Sequence, residues 1–248
     1  NLDIEGMHDE TGTAANYYFN SVYIGGSAAS GSRNSYAFNR TATTTVDVKN
    51  NIFYNARTGG TGFHVAIANT NASATGWPAT ASDYNDLYTT TSTTLGQWLG
   101  TAAGNNKTFA TWKTASGGDA NAINYLPVFT STTDLHLKDY ATTPANIALK
   151  AGINTGGITD DVDGDLRNLG LPAMGADEFK VPNIWAGNTS SNWGVNTNWD
   201  DNTVPTLATA DITVPYGVPN MPALDANRTI NKLIFFRTGA SPFFVDIN

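Results

Sequence analysis

Asn50-Asn51-Ile52-Phe53-Tyr54 is the stretch on which the fold turns. A polar pair leads into apolar and aromatic residues. The same order occurs upstream as Asn20-Ser21-Val22-Tyr23-Ile24 and downstream as Asn85-Asp86-Leu87-Tyr88, at offsets of 30 and 35 residues. Between these units lie strand-like pieces, Ser35-Tyr36-Ala37-Phe38-Asn39 and Gly62-Phe63-His64-Val65-Ala66-Ile67-Ala68-Asn69. Self-similarity at this period marks a solenoid, a propeller or an array. Short strands separated by Gly, Ser and Thr turns, without a helical period, select the β solenoids. In a coil stack each strand pairs with the coils above and below. An Asn at a bend can then bond its own backbone and the next Asn, so Asn20, Asn50 and Asn85 are expected to form a ladder, with aromatic side chains stacked in the same way.

Residues 89–125 interrupt the repeat. Thr108-Phe109-Ala110-Thr111-Trp112-Lys113 predicts a short helix, with Thr108 as N-cap and Phe109 and Trp112 three apart on one face. A helix of this kind laid on a solenoid covers an exposed strand edge. Asp134-Leu135-His136-Leu137-Lys138 alternates as a strand does. Next comes the densest acidic run, Asp160-Asp161-Val162-Asp163-Gly164-Asp165-Leu166-Arg167, followed by Pro172-Ala173-Met174-Gly175-Ala176-Asp177-Glu178-Phe179. Asp163-Gly164 is a turn dipeptide, because Asp caps its own backbone and Gly tolerates positive φ. The run reads as the closing segment of one unit.

The ordered pieces SDYNDLY (82–88), FATWK (109–113), LPVF (126–129), DLHLK (134–138), PANIALKAG (144–152) and DDVDGDLRN…PAMGADEF (160–179) carry a resemblance. Together they look like the C-terminal coils and cap of a right-handed parallel β-helix of the pectin-lyase-like kind. The nearest likeness is to large surface proteins of bacteria that use type IX secretion. The resemblance covers roughly residues 1–180 and implies secretion or display on the bacterial surface.

After Val181-Pro182 the pattern changes. Ile184-Trp185, Asn192-Trp193, Asn198-Trp199, Asp211-Ile212-Thr213-Val214-Pro215 and Thr229-Ile230-Asn231-Lys232-Leu233-Ile234-Phe235-Phe236 follow. The last of these reads as a buried strand. The section resembles the start of a second β-solenoid-like or β-sandwich-like module found in tandem in such surface proteins. The expected organisation is therefore all-β, with a parallel β-helix end and its cap over 1–180 and a smaller β-rich module over 183–248.

Composition limits the partners. Net charge is −8 and only 14% of residues are charged, against 40% hydrophobic. A polyanion meets repulsion that no Lys/Arg cluster offsets, so nucleic acid and anionic membrane are poor candidates as partners, and no nucleic-acid partner is expected. The absence of cysteine removes disulfides and thiolate metal sites. No apolar run is long enough to span a bilayer. The chain opens at Asn1 without a signal peptide and stops inside a strand-like pattern, so it reads as a piece of a longer protein.

Candidate chemistry is sparse. Asp161, Asp163 and Asp165 stand at positions one, three and five of a calcium loop, but Leu166 and Pro172 occupy positions six and twelve, where that loop needs Gly and a bidentate acid. These aspartates either cap turns and pair with Arg167 or hold calcium in an irregular site. Trp185, Trp193 and Trp199 either fill the start of the second module or form a sugar-stacking platform. Asp83 and Asp86 are the best-placed acids for polysaccharide chemistry, with turn capping as the competing role. His8, His64 and His136 are scattered. No nucleophile elbow or phosphate-cradling loop is present. The expected function is a non-catalytic structural or adhesive segment of a secreted bacterial cell-surface protein. Its partners would be a polysaccharide or another surface or secretion component. The alternatives are a fragment of a polysaccharide lyase or glycoside hydrolase, or a carbohydrate-binding module.

Overall fold

The computed structural model describes residues 3–91, 93–138, 144–236 and 243–245. The chain divides into two compact units, one of residues 1–137 with 174–177 and one of residues 138–173 with 178–248.

The first unit is a parallel β-solenoid of about three turns. Coil one carries β1 (Ile4–Asp9), β2 (Ala15–Tyr18), β3 (Ser21–Ile24) and the short β4 (Ser27–Ala28). Coil two repeats them as β5 (Ser35–Arg40), β6 (Val46–Lys49), β7 (Ile52–Asn55) and β8 (Thr58–Gly59). Coil three has β9 (His64–Asn69), β10 (Ser82–Asp83) and β11 (Asp86–Thr89), and β12 (Gly96–Trp98) starts the next turn. The sheets run β1-β5-β9-β12, β2-β6-β10 and β3-β7-β11, with every one of these pairings parallel.

Register places like residues over like. Met7, Phe38 and Ile67 align in the first sheet, and Val22, Phe53 and Leu87 in the third. Phe38, Val48, Phe53, Ile67 and Leu87 have no exposed surface and form one core with Trp77, Trp98 and Trp112. Tyr23, Tyr54 and Tyr88 stack through successive coils with ring centroids 5.1 and 5.3 Å apart, the edge-to-face spacing that aromatic rings favour.

The bend between the second and third strands of each coil has a fixed form. Phe19, Asn50 and Tyr84 sit in the left-handed region at φ 54°, 58° and 55°. Such a conformation costs a non-glycine residue roughly 1–2 kcal/mol. The next residue in each coil, Asn20, Asn51 or Asn85, supplies the ladder that holds the bend. The middle rung is therefore Asn51, not the expected Asn50, which is the left-handed residue before it.

The stack closes at β12. The short β13 (Asn106–Lys107) pairs with it antiparallel, and α1 (Phe109–Ser116) follows. Thr108 caps α1 by accepting from the Thr111 N–H, and Thr111 returns the bond in a capping box. Trp112 is fully buried and Phe109 packs against the same core, so α1 lies on the end of the stack as its sequence predicts. Of the strand expected at 134–138, one antiparallel bridge forms, Phe129 to Leu137. Residues 174–177 lie along the bends. The N–H of Gly175 reaches the Asn50 carbonyl (2.7 Å), and that of Ala176 reaches Ser21 Oγ (2.9 Å). Gly175 has φ 90°, and a Cβ there would come within 2.6 Å of both Ile52 Cδ1 and Ser21 Oγ.

The second unit repeats parallel pairing on a smaller scale. β14 (Asp211–Pro215) pairs parallel with β15 (Lys232–Phe236), and β15 pairs antiparallel with β16 (Phe243–Val245). Parallel bridges join Ile184 to Thr213 and Asn192 to Ala223. Its core holds Trp185, Trp193, Trp199, Ile212 and Val214. Leu233 and Phe235 of β15 pack against this core half-buried, not fully buried as their run of apolar residues predicts. A 3-10 helix spans Pro144–Leu149.

Candidate functional site

The polar residues of the first unit fall into two systems. One is the internal ladder. Asn20 gives its backbone N–H and Nδ2 to Asn51 Oδ1 at 2.9 and 2.8 Å, and Asn51 does the same to Asn85 Oδ1 at 2.9 Å each. Asn85 Nδ2 then donates to Asp119 Oδ1 at 3.0 Å, and Asp119 Oδ2 accepts from Trp112 Nε1 at 2.7 Å. Burial pushes the Asp119 carboxyl above its ordinary value, against bonds from Trp112, Asn85 and Ser82 that hold it down.

The second system is a side-chain chain across the first sheet. Glu5 accepts from Asn39 Nδ2 at 2.7 Å and pairs with His8 Nδ1 at 2.8 Å. His8 Nε2 meets Thr41 Oγ1 at 2.9 Å, and Thr70 Oγ1 donates to Asn39 Oδ1 at 2.8 Å. Thr41, His8, Glu5, Asn39 and Thr70 thus form one run over three coils, with the His8 and Glu5 side chains 35% and 23% exposed. When the ring is neutral and Glu5 holds the Nδ1 proton, Nε2 is left to accept a proton from the Thr41 hydroxyl. A carboxylate, an imidazole and a hydroxyl in this order can move a proton. The sequence displays Glu5 and His8 three residues apart, but nothing in it places Thr41, 33 residues further on, against the ring.

The other two histidines do different work. His64 is buried between Ser35 Oγ at 2.8 Å and the Gly59 carbonyl at 3.0 Å. His136 is exposed and pairs with Asp134.

Asp83 and Asp86 part company. Asp83 accepts from the N–H of Tyr84 and Asn121 and from Asn121 Nδ2, at 2.7 to 2.9 Å, and so ties two loops. Asp86 is fully buried. Its Oδ1 accepts from the Tyr125 N–H at 2.9 Å, and its Oδ2 has no hydrogen-bond partner. Burial drives the Asp86 carboxyl well above its usual range, with the Tyr125 bond opposing.

In the second unit the acidic run is a turn. Asp161 Oδ1 accepts from the N–H of Asp163 and of Asp165, both at 2.9 Å, and its Oδ2 accepts from the Glu178 N–H at 2.8 Å. Gly164 takes φ 84° at the tip. Asp163 and Asp165 offer their backbones to this turn. A cation binding Asp161 would compete with three amides for its two oxygens.

Arg167 turns toward Glu178. Its Nε donates to the Asp160 carbonyl at 3.1 Å, and its guanidinium faces Glu178 Oε2 at 3.4 Å. Glu178 also binds Lys150, whose Nζ lies 2.9 Å from Asp200 Oδ1. All four charged groups are buried. Burial pulls the Lys150 ammonium down, but the Asp200 and Glu178 carboxylates outweigh it and hold Lys150 above its ordinary value. Sequence reading missed this network. Its one visible sign is a lysine set inside the apolar run Ile147-Ala148-Leu149-Lys150-Ala151 of a chain poor in charge.

The three tryptophans come together, but inward. Trp185, Trp193 and Trp199 are 0, 2 and 1% exposed, with ring centroids 4.7 to 6.2 Å apart. A stacking platform needs an open ring face, and here the faces meet one another and Ile212 and Val214. A cleft of about 280 Å³ lies beside Trp193, lined by Met221, Leu224, Arg228, Ile230 and Leu233.

The chain matches no protein-family model, no curated protein and no solved structure. No described helix is long and apolar enough to cross a membrane.

Proposed function

We propose that the chain is a non-catalytic structural or adhesive segment of a large secreted bacterial cell-surface protein. The pectin-lyase-like resemblance and the likeness to type IX-secreted proteins point the same way, to a location outside the cell and to polysaccharide or other surface components as partners. The ladder from Asn20 through Asn51 and Asn85 to Asp119 carries this reading. It links every coil to the next by side-chain bonds inside the stack, in addition to the parallel sheets. A solenoid advances only about 4.8 Å per coil, far less than the same residues extended. What such a chain gains is stiffness and lateral surface.

A second reading is favoured by the Glu5–His8–Thr41 run, which offers a base of the kind a polysaccharide lyase or hydrolase fragment needs. One pair of assays separates the two readings: a polysaccharide depolymerisation screen and limited proteolysis of the native chain. The structural reading expects intact polymers and a first unit that survives protease as one band. Release of new sugar ends, abolished by His8→Ala, overturns it.

A further inference from the structure

Lys150 is the only buried lysine among the described residues, and two carboxylates touch it. Its Nζ lies 2.5 Å from Glu178 Oε1 and 2.9 Å from Asp200 Oδ1, and none of the three side chains is more than 2% exposed. The Phe179 ring closes another side, with its centroid 5.5 Å from Nζ. All of these residues belong to the second unit. An amine and a carboxyl group held dry and in contact are also the two halves of an amide. Keeping them buried as ions is costly, and a neutral amide removes that cost. Fixed contact replaces the encounter that the same reaction needs in solution.

The two carboxylates are not equivalent. Glu178 Oε1 accepts from the Asn168 N–H at 3.2 Å as well as from Lys150, and Oε2 accepts from the Ala173 N–H at 2.8 Å and from Arg167 at 3.4 Å. These donors hold Glu178 as an anion, the form that can take a proton. Asp200 Oδ2 accepts from the Val181 N–H at 2.7 Å. That N–H is placed to hold the oxyanion that forms when the Asp200 carboxyl carbon is attacked. Coupling to Asp200 also leaves Arg167 and Glu178 as a matched pair, whereas coupling to Glu178 would take the carboxylate from Arg167.

We infer that Lys150 and Asp200 condense within the folded chain to an isopeptide bond, with Glu178 as the proton carrier. Glu178 carries one proton from the Lys150 ammonium to Asp200 Oδ1, which leaves a neutral amine against a neutral acid. The Nζ lone pair bonds to Cγ, and the carbonyl pair moves onto Oδ2. Glu178 then takes a second proton from the nitrogen and gives it to Oδ1. The Cγ–Oδ1 bond breaks, the Oδ2 pair re-forms the carbonyl, and one water leaves. Glu178 ends as the anion it began. The water has an exit, because Asp200 lines a cleft of about 270 Å³ together with Asp165, Asn188 and Asn202. The ion pair is the chain before condensation, and only that state titrates at Lys150. The inference rests on four buried side chains and holds whether or not the segment serves as a stalk.

The test is intact-mass spectrometry of the whole chain, kept folded at neutral pH for several days and then unfolded in acid. The chain is expected to be lighter by one water. Tandem spectra of a digest should contain a branched peptide that joins Lys150 to Asp200. Lys150→Arg keeps the cation but cannot form this amide, and should retain full mass. Glu178→Gln should condense about a hundredfold more slowly, the usual effect of losing a positioned proton carrier. A succinimide at Asp163-Gly164 would lose the same mass, so the branched peptide is the deciding product. Full mass in the native chain, or a water loss that maps to Asp163-Gly164, overturns the proposal. The native chain alone decides this, so a misfolded variant cannot imitate the result.

Discussion

Asn51 gives both its backbone N–H and its side-chain amide to Oδ1 of Asn85, each at 2.9 Å, across 34 residues of sequence. It accepts the same two bonds from Asn20. Removing this side chain strands the two Asn20 donors and takes one donor from Asn85 Oδ1 and from the Tyr17 and Lys49 carbonyls. Asn51→Ala should lower the unfolding free energy by about 3 kcal/mol, two or three unsatisfied buried groups at ~1–3 kcal/mol each before local relaxation. Asn20→Ala, at the half-exposed end, should cost about 1 kcal/mol. Urea titration of both variants followed by circular dichroism checks the difference.

Asp86 makes stability depend on pH. Its carboxyl is raised by burial in the folded chain and ordinary in the unfolded one. Below the ordinary aspartate value both states are protonated and the penalty is absent. As pH rises past that value the unfolded chain ionises first, so stability falls until the folded value is reached. Asp86→Asn removes the titration. The variant should melt above the native protein at pH 7, and the gap should close near pH 3. Melting curves across that range decide the point.

Lys150 sits between Glu178 and Asp200 with all three buried. Lys150→Met leaves Asp200 without its cation and Glu178 with Arg167 alone, and should cost about 3–5 kcal/mol, as breaking a buried pair does. The raised Lys150 value means that its contribution is whole below the ordinary lysine range and disappears as pH climbs through the folded value. Alkaline titration should therefore loosen the native protein at a pH that leaves the Lys150→Met variant unchanged. Near-UV circular dichroism of the tryptophan cluster reports it.

Trp193 is packed on Trp199 at 4.7 Å and on Trp185 at 6.2 Å. Trp193→Ala should destabilise by about 3–5 kcal/mol, the usual loss for a buried large aromatic side chain. A ligand-stacking tryptophan would instead leave the melt unchanged and abolish sugar binding. Thermal melts beside a glycan array distinguish the two roles.

Asp161 caps three amides with two oxygens. Asp161→Ala should cost about 2 kcal/mol, equally in calcium and in chelator. A melt of the native protein that rises with calcium and loses that rise in the variant would instead place a cation at the turn.

The coils were legible in the sequence because each must place an apolar, aromatic strand after the same bend. The repeat at Asn20, Asn50 and Asn85 exposes that requirement. Which of two adjacent asparagines bonds across coils was not legible, since the left-handed backbone of Asn50 belongs to the bend and leaves no trace in residue type. The helix at 109–116 was readable because caps and faces are local. The Lys150–Glu178–Asp200 network joins residues 28 and 50 positions apart, and the Glu5–His8–Thr41 run depends on which coil lies beside which. Such pairings follow from register, and register becomes visible only once the sheets are assembled.

Because the rungs Asn20, Asn51 and Asn85 are spaced 31 and 34 residues apart and are bonded alike, one coil is interchangeable with the next. A tandem duplication of such a unit would lengthen the protein by about 4.8 Å and leave every neighbouring bond of the same kind as before. Deleting one would shorten it by the same step. Span is therefore a countable trait, adjustable in whole turns by recombination, while the closing helix with Trp112 and Asp119 has to be inherited only once.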